Sequence, residues 1–127
     1  MIYKSYPPEM AAAWPNFVEE EVACRCGCGA LPDPEIMDVL QSIRNTIGRP
    51  LQVSSGARCQ KHDKAVGGRG NHTTGFAVDI LADSRLKYLI VREALGEGVT
   101  RIGVGKDFVH LDLVTPKPQY VLWTYGD

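Results

Sequence analysis

Apolar side chains recur at the spacing of one helical face between Pro34 and Ile47, and they are Ile36, Val39, Leu40, Ile43 and Ile47. This repeat predicts an amphipathic helix. Asp33 is a favourable N-cap, and Pro34 suits the first helical position because the amide hydrogen that proline lacks would have no partner there. Gly48 supplies a C-terminal stop.

The other apolar segments are short, as expected for strands. They cover residues 51–54, 76–81, 101–104, 108–114 and 119–124, and the last is predicted to be an edge strand. Gly105-Lys106 predict a two-residue hairpin turn. A second helix is predicted over residues 84–95. The pattern therefore predicts an α+β fold, a small antiparallel sheet packed with two main helices.

The length of 127 residues is enough for one core and predicts a single domain over residues 1–127. Residues 1–16 are predicted to be an irregular N-terminal segment, rich in proline. Residues 58–74 contain Gly67, Gly68 and Gly70 and are predicted to form a long loop. Long loops in small domains often carry function.

The charge balance excludes several classes of function. Fourteen Lys and Arg residues against fifteen Asp and Glu give a formal charge of −1, so nothing predicts a nucleic acid partner. No apolar run reaches the roughly 18 residues of a membrane-spanning helix, so membrane insertion is not expected. The first residues lack the apolar stretch of a secretory signal. We therefore expect a monomer that is synthesised in the cytoplasm without a signal peptide.

Three residues of the strand and loop segments have the chemistry of metal ligands: His72, Asp79 and His110. Asp79 interrupts an apolar strand, where a carboxylate is costly to bury unless it is paired or bound to a cation. Two imidazoles and one carboxylate would form a three-ligand zinc site that is open for water, as in catalytic centres. Spacing alone equally allows three hydrogen-bonded structural residues. Strand alternation places His110 and Asp112 together, pointing away from the expected core.

Three motifs in order resemble the zinc D-alanyl-D-alanine carboxypeptidase family, in its endolysin-like branch of peptidoglycan peptidases. They are Ser54-Ser55-Gly56-Ala57-Arg58, His72-Thr73-Thr74-Gly75-Phe76-Ala77-Val78-Asp79 and Asp107-Phe108-Val109-His110-Leu111-Asp112. The resemblance covers residues 17–123 and implies the fold shared with the hedgehog signalling domain. It also implies one catalytic Zn²⁺ held by His72, Asp79 and His110.

The same resemblance implies catalytic roles for Asp107 and Arg58. Asp107 takes the place of the carboxylate that moves protons, and Arg58 matches an arginine that could stabilise an oxyanion or hold a substrate carboxylate. Strict alternation puts Asp107 on the face opposite His110, so a bulge or turn must re-aim it. One departure from the family is Gly70, which stands where a serine is usual and leaves substrate placement in doubt.

Several residues keep more than one interpretation. Asp112 is a candidate to orient a metal-ligating imidazole by accepting a hydrogen bond from its other nitrogen, and it is equally a candidate for a solvated strand residue. Trp123 is a candidate for the edge of the cleft, or for ordinary packing. Four cysteines, Cys24, Cys26, Cys28 and Cys59, could close a structural zinc site, although single-residue spacing departs from the usual gaps. Reduced buried thiols and disulfides are the alternatives.

The resemblance implies a zinc-dependent peptidase that hydrolyses amide bonds in peptidoglycan stem peptides. A carboxypeptidase that releases D-alanine and an endopeptidase that cuts inside the stem, as at L-alanyl-D-glutamate, both fit. A phage or prophage lysin, acting at the bacterial cell wall after release by phage machinery, fits the small chain. The alternatives are a non-catalytic zinc-binding module and a virion structural domain of the same fold.

Overall fold

Five strands form one sheet in the computed structural model, which describes residues 1–126. They are β1 (Val53–Ser55), β2 (Ala77–Leu81), β3 (Arg101–Val104), β4 (Phe108–Asp112) and β5 (Val121–Thr124). The spatial order is β1-β2-β4-β3-β5. All neighbours are antiparallel except β3 and β5, which run parallel. The predicted α+β class is confirmed, and the last strand lies at the sheet edge as expected.

The parallel direction of β5 follows from where β4 ends. Asp112 at the end of β4 pairs with Arg101, the first residue of β3. The chain then returns to the same end of β3, where Val121 also pairs with Arg101. A strand that starts beside the start of β3 must run in the direction of β3.

Five helices accompany the sheet: α1 (Pro8–Ala11), α2 (Glu19–Val22), α3 (Pro34–Ile47), α4 (Gln60–Ala65) and α5 (Ser84–Gly96). The Asp33 side chain accepts a hydrogen bond from the Glu35 amide at 2.9 Å and so caps α3. Gly48 ends α3 with a φ of 73°. Within residues 1–126, no helix combines the length and the apolar character needed to cross a membrane.

The core lies between one face of the sheet and the two long helices. Alternation along the strands directs Val78, Ile80, Ile102, Val109 and Leu111 to this face. Helix α3 supplies Ile36, Met37, Leu40 and Ile43, and helix α5 supplies Leu86, Ile90 and Ala94. Burying these side chains fixes the strand register, because a slip by one residue would turn them outward. The other face of the sheet, called the polar face below, carries Asp79, His110 and Asp112.

Four details differ from the sequence-based expectations. The hairpin connection contains three residues, 105–107, and β4 ends at Asp112 rather than at residue 114. The predicted loop over residues 58–74 contains α4 and a 3₁₀ turn at His72–Thr74. The N-terminal segment contains α1, and Tyr3 bridges to Leu31.

Candidate metal centre and cleft

His72, Asp79 and His110 meet on the polar face of the sheet, with one ligand atom of each within 4.8 Å of the others. His72 Nε2 lies 3.3 Å from Asp79 Oδ2. His110 Nδ1 lies 2.8 Å from Asp79 Oδ1. The carboxylate therefore stands between the two imidazoles. The three residues that the sequence singled out are together in space.

The fold brings these ligands together through sheet register and one backbone contact. Asp79 on β2 pairs directly with His110 on β4, and directly paired residues of antiparallel strands carry neighbouring side chains. His72 comes from the 3₁₀ turn, and its Nδ1 lies 2.7 Å from the Gly56 carbonyl oxygen. A carbonyl oxygen can only accept, so His72 Nδ1–H is the donor in this contact, and Nε2 of His72 faces Asp79.

Asp112 lies directly behind His110. Its Oδ2 is 2.7 Å from His110 Nε2, and its Oδ1 accepts hydrogen bonds from Arg101 Nε at 2.6 Å and the Val114 amide at 3.0 Å. Asp112 has no exposed surface, and His110 is only 2% exposed. Of the two interpretations of Asp112, the solvated strand residue does not hold, because Arg101 and Trp123 cover this face; the position behind His110 fits a residue that orients a ligand.

Opposing effects set the pKa values in the cluster. Burial alone would raise the pKa of Asp79, but hydrogen bonds from His110 and His72 outweigh it and hold the pKa well below its usual range. For His110, burial favours the neutral form, while hydrogen bonds to Asp112 and Asp79 raise the pKa above its usual value. Burial also opposes ionisation of Asp112, yet hydrogen bonds from His110 and the Val114 amide lower its pKa.

The donor set fits a catalytic zinc ion. Each imidazole uses one nitrogen for a supporting hydrogen bond, which leaves His72 Nε2 and His110 Nδ1 beside one carboxylate. A ligating imidazole commonly donates its other N–H to a carboxylate or carbonyl in this way. Within residues 1–126 the group comprises these three ligands. A four-coordinate zinc ion with three protein ligands has one position open for water or substrate.

The cluster lies in the wall of a cavity of about 730 Å³. Its positively charged lining residues are Arg58, Arg69, Arg101 and Lys117. Among the lining residues that the structure describes, Asp79 is the single carboxylate. A cation bound beside Asp79 would compensate that charge, and the cleft would then attract anionic ligands.

Arg58 is held at the rim of this cavity by Asp63. The guanidinium donates from Nη1 to Asp63 Oδ1 at 3.0 Å, and Asp63 Oδ2 accepts from the Gly70 amide at 3.0 Å. Asp63 is 5% exposed, so the pair is largely shielded from water. The arginine is thus fixed rather than freely mobile, and it connects α4 to the glycine-rich segment before His72.

Aromatic side chains from the C-terminal strand form another wall. The ring centroids of Trp123 and His110 are 5.5 Å apart, and the Arg101 guanidinium lies 5.2 Å from the centroid of Trp123. Tyr125 packs against Phe108 with centroids 4.9 Å apart. A Cβ atom on Gly103 would lie 2.6 Å from Trp123 Nε1, so the indole needs a glycine beneath it.

Asp107 is not brought into the cluster. It lies exposed in the turn before β4, and Phe108 rather than Asp107 lines the cavity. The β2–β4 register is unbroken from Leu81–Phe108 to Ala77–Asp112, so no bulge re-aims the carboxylate. The Asp107 carbonyl accepts a hydrogen bond from the Ala82 amide at 2.9 Å.

Sequence reasoning missed Arg101 and Asp63, which support the site from behind. Arg101 is 6% exposed and stands on an otherwise apolar strand. The criterion that singled out Asp79, a charge inside an apolar strand, would have found it. Asp63 offers no comparable signal, because its burial depends on the fold of residues 58–70.

The family model described as Peptidase M15 matches residues 15–112. The chain belongs to the peptidase M15 family. The match includes all three metal-ligand candidates and Asp112, whereas Trp123 and Tyr125 lie beyond it. Comparison with curated protein sequences gives no match. M15 proteins are zinc peptidases, and membership supports a metallopeptidase with a peptide substrate.

Proposed function

We propose that this M15 protein is a zinc-dependent peptidase that hydrolyses amide bonds in peptidoglycan stem peptides. A phage or prophage lysin that reaches the cell wall after release is the role we assign to it. The observation that carries the proposal is the three-ligand group in the wall of a cationic cleft. Carboxypeptidase and endopeptidase action on the stem both fit this arrangement.

His72 Nε2, Asp79 and His110 Nδ1 are the groups that would hold the zinc ion. When bound, zinc supplies a Lewis acid that polarises a carbonyl and makes water nucleophilic at neutral pH. Asp112 keeps His110 oriented through the hydrogen bond to Nε2. The Gly56 carbonyl does the same for His72. These supports leave the ligand nitrogens facing the cleft without rearrangement.

The positive rim supports a substrate that carries carboxylates. Arg58 and Arg69 line the cavity, and Lys117 is anchored there by donating to Asn71 Oδ1 at 2.6 Å. Stem peptides of the cell wall carry the carboxylates of D-glutamate and of a terminal D-alanine. Arg58, already fixed by Asp63, would hold such a carboxylate or stabilise the charge that develops on the scissile carbonyl oxygen.

Asp107 is the residue we propose to move protons. In amide hydrolysis the C–N bond breaks, water adds to the carbonyl carbon, and a proton must reach the leaving amine. The assignment rests on the resemblance of Asp107 to the family carboxylate. It requires the turn at residues 105–107 to turn the side chain toward the cleft on substrate binding.

The outward position of Asp107 favours a non-catalytic alternative. A zinc-binding module needs the ligands but no base, and a virion structural domain of the same fold needs no base either. Among the lining residues that the structure describes, the one carboxylate is the metal ligand candidate Asp79. The peptidase and the non-catalytic alternatives differ in whether any stem peptide is cut.

The test is digestion of purified peptidoglycan followed by mass spectrometry of the released muropeptides. We expect a single type of amide bond to be cut, with activity lost on chelation and restored by Zn²⁺. The His72→Ala variant should be inactive, while the matched His62→Ala variant should remain active because His62 lies outside the ligand group. A protein that holds zinc at His72, Asp79 and His110 and leaves every stem peptide intact would establish the binding module instead.

A further inference from the structure

Four cysteine sulfurs meet at a second place, beside the segment that carries Arg58. Cys24, Cys26 and Cys28 lie in the loop after α2, and Cys59 immediately precedes α4. The sulfur atoms of all four are within 4.8 Å of one another. No part of the proposed peptidase mechanism uses them.

The distances between sulfurs match a shared metal ion better than a covalent bond. Cys24 Sγ lies 3.4 Å from Cys26 Sγ and 4.0 Å from Cys59 Sγ, and Cys26 Sγ lies 3.7 Å from Cys59 Sγ. Sulfurs at the corners of a zinc tetrahedron are about 3.8 Å apart, given Zn–S bonds of about 2.3 Å. A disulfide needs about 2.05 Å and joins two sulfurs only.

Backbone amides also point at the sulfurs. The Cys59 amide donates to Cys24 Sγ at 3.4 Å, and the His62 amide donates to Cys59 Sγ at 3.4 Å. Hydrogen bonds of this kind favour the thiolate, which is the form that binds metal. The cluster thus combines soft ligands with the supporting contacts that such ligands need.

The local backbone explains how cysteines at single-residue spacing can share a centre. Gly27 and Gly29 each have a φ of 85°, a left-handed conformation that glycine adopts without strain. Two such turns within the loop fold it tightly around the sulfurs. Arg25 anchors the loop by donating to the carbonyls of Glu20 at 2.9 Å and Val53 at 3.0 Å.

We propose that Cys24, Cys26, Cys28 and Cys59 bind a structural zinc ion. Four thiolates form a closed site, and such sites stabilise folds rather than catalyse reactions. The ion would connect the loop after α2 to residues 56–59. That segment supplies Arg58 at the cleft and the Gly56 carbonyl that orients His72. This proposal does not depend on the peptidase activity.

Metal analysis of the full chain, purified under reducing conditions, tests the proposal. We expect two zinc equivalents, one for each site, and about one after the double substitution Cys26→Ser and Cys28→Ser, which leaves two thiolates at the cluster. Both side chains are exposed, so their replacement opens no cavity in the core. The His72→Ala variant should also hold about one equivalent, now bound by the thiolates. Equal zinc content in the unaltered chain and in the double variant would overturn the proposal, as would iron in place of zinc.

Substitution with Co²⁺ gives a second readout that needs no variant of the cysteines. The unaltered chain and His72→Ala should both show the strong sulfur-to-cobalt charge-transfer absorption of a tetrahedral thiolate site. The double variant with Cys26→Ser and Cys28→Ser should lose most of it. Absence of this absorption in the unaltered chain, or cysteines found in disulfides by mass spectrometry of the reductively prepared protein, would show that the cluster is not a metal site.

Discussion

His110 and Asp112, two residues apart on β4, are joined side chain to side chain by a 2.7 Å contact between Nε2 and Oδ2. Strand alternation makes this contact available, because residues i and i+2 share a face. The contact leaves Nδ1 of His110 as the nitrogen that faces Asp79. Arg101 fixes Asp112 in turn, so the orientation of the imidazole depends on the neighbouring strand β3.

Replacing Asp112 by Asn should weaken metal binding. The amide keeps an oxygen for His110 but loses the negative charge, and loss of such a supporting carboxylate typically lowers affinity by about 10- to 100-fold. Competition with a chromophoric chelator measures this, and excess Zn²⁺ should restore much of the activity. Asp83→Asn, which alters a helix-capping aspartate outside the site, is the control. Unchanged affinity in Asp112→Asn would show that the contact has no role in metal binding.

Replacing Asp107 by Asn tests the proposed proton transfer. We expect kcat to fall by about 10²-fold or more, because a positioned general acid–base contributes on that scale. Zinc content and thermal stability should not change, since the side chain is exposed. The control is Lys106→Ala in the same turn. If kcat stays within a few-fold of the value for the unaltered protein, Asp107 remains exposed during the reaction and does not transfer protons.

Replacing Arg58 by Ala should lower kcat/KM by about 10²-fold, the scale for loss of one donor to a developing oxyanion. Arg58→Lys should recover part of the loss, because it keeps the charge but not the planar fork. Zinc content should stay the same in both variants. Arg69→Ala, which removes another positive charge from the rim of the cavity, is the comparison. Equal effects of Arg58→Ala and Arg69→Ala would mean that kcat/KM depends on the total positive charge of the cavity rather than on a fixed guanidinium at Arg58.

Serine is usual at the position of Gly70 in the family that the sequence resembles. Replacing Gly70 by Ser should nevertheless lower the thermal stability of this protein. Gly70 has a φ of 88°, and a side chain in a left-handed conformation costs about 1–2 kcal/mol. Thermal unfolding should therefore begin at a lower temperature. Gly96→Ser, at a helical glycine with open space around it, should show no such loss. An equal or higher Tm for Gly70→Ser would contradict the strain argument.

The sequence predicts those parts of the fold that depend on neighbouring residues. Helix α3 follows from its apolar repeat, its Asp33 cap and its Gly48 stop, all of which the structure retains. The pairing of Asp79 with His110 is a different matter, because it joins residues far apart in the chain. Their residue chemistry made them candidates for one metal site, and the resemblance between ordered motifs strengthened that hypothesis, but no local pattern predicts their pairing.

Burial of the polar face could not be predicted locally. On β4 the core residues Val109 and Leu111 lie on the opposite face, so alternation alone indicates that His110 and Asp112 are exposed. The cover comes from Arg101 and Trp123 on two other strands. Strand patterns specify neither which strands become neighbours nor their direction, and the parallel pairing of β5 with β3 was therefore not foreseen.

Strand β5 is attached to the sheet along one edge only, through its pairing with β3. It carries Trp123 and leads into Tyr125, and both lie outside the segment that the family model matches. The candidate metal ligands come from other elements. Because Trp123 covers His110, a graft at residues 121–125 that keeps Trp123 should change substrate selectivity while those ligands stay in place.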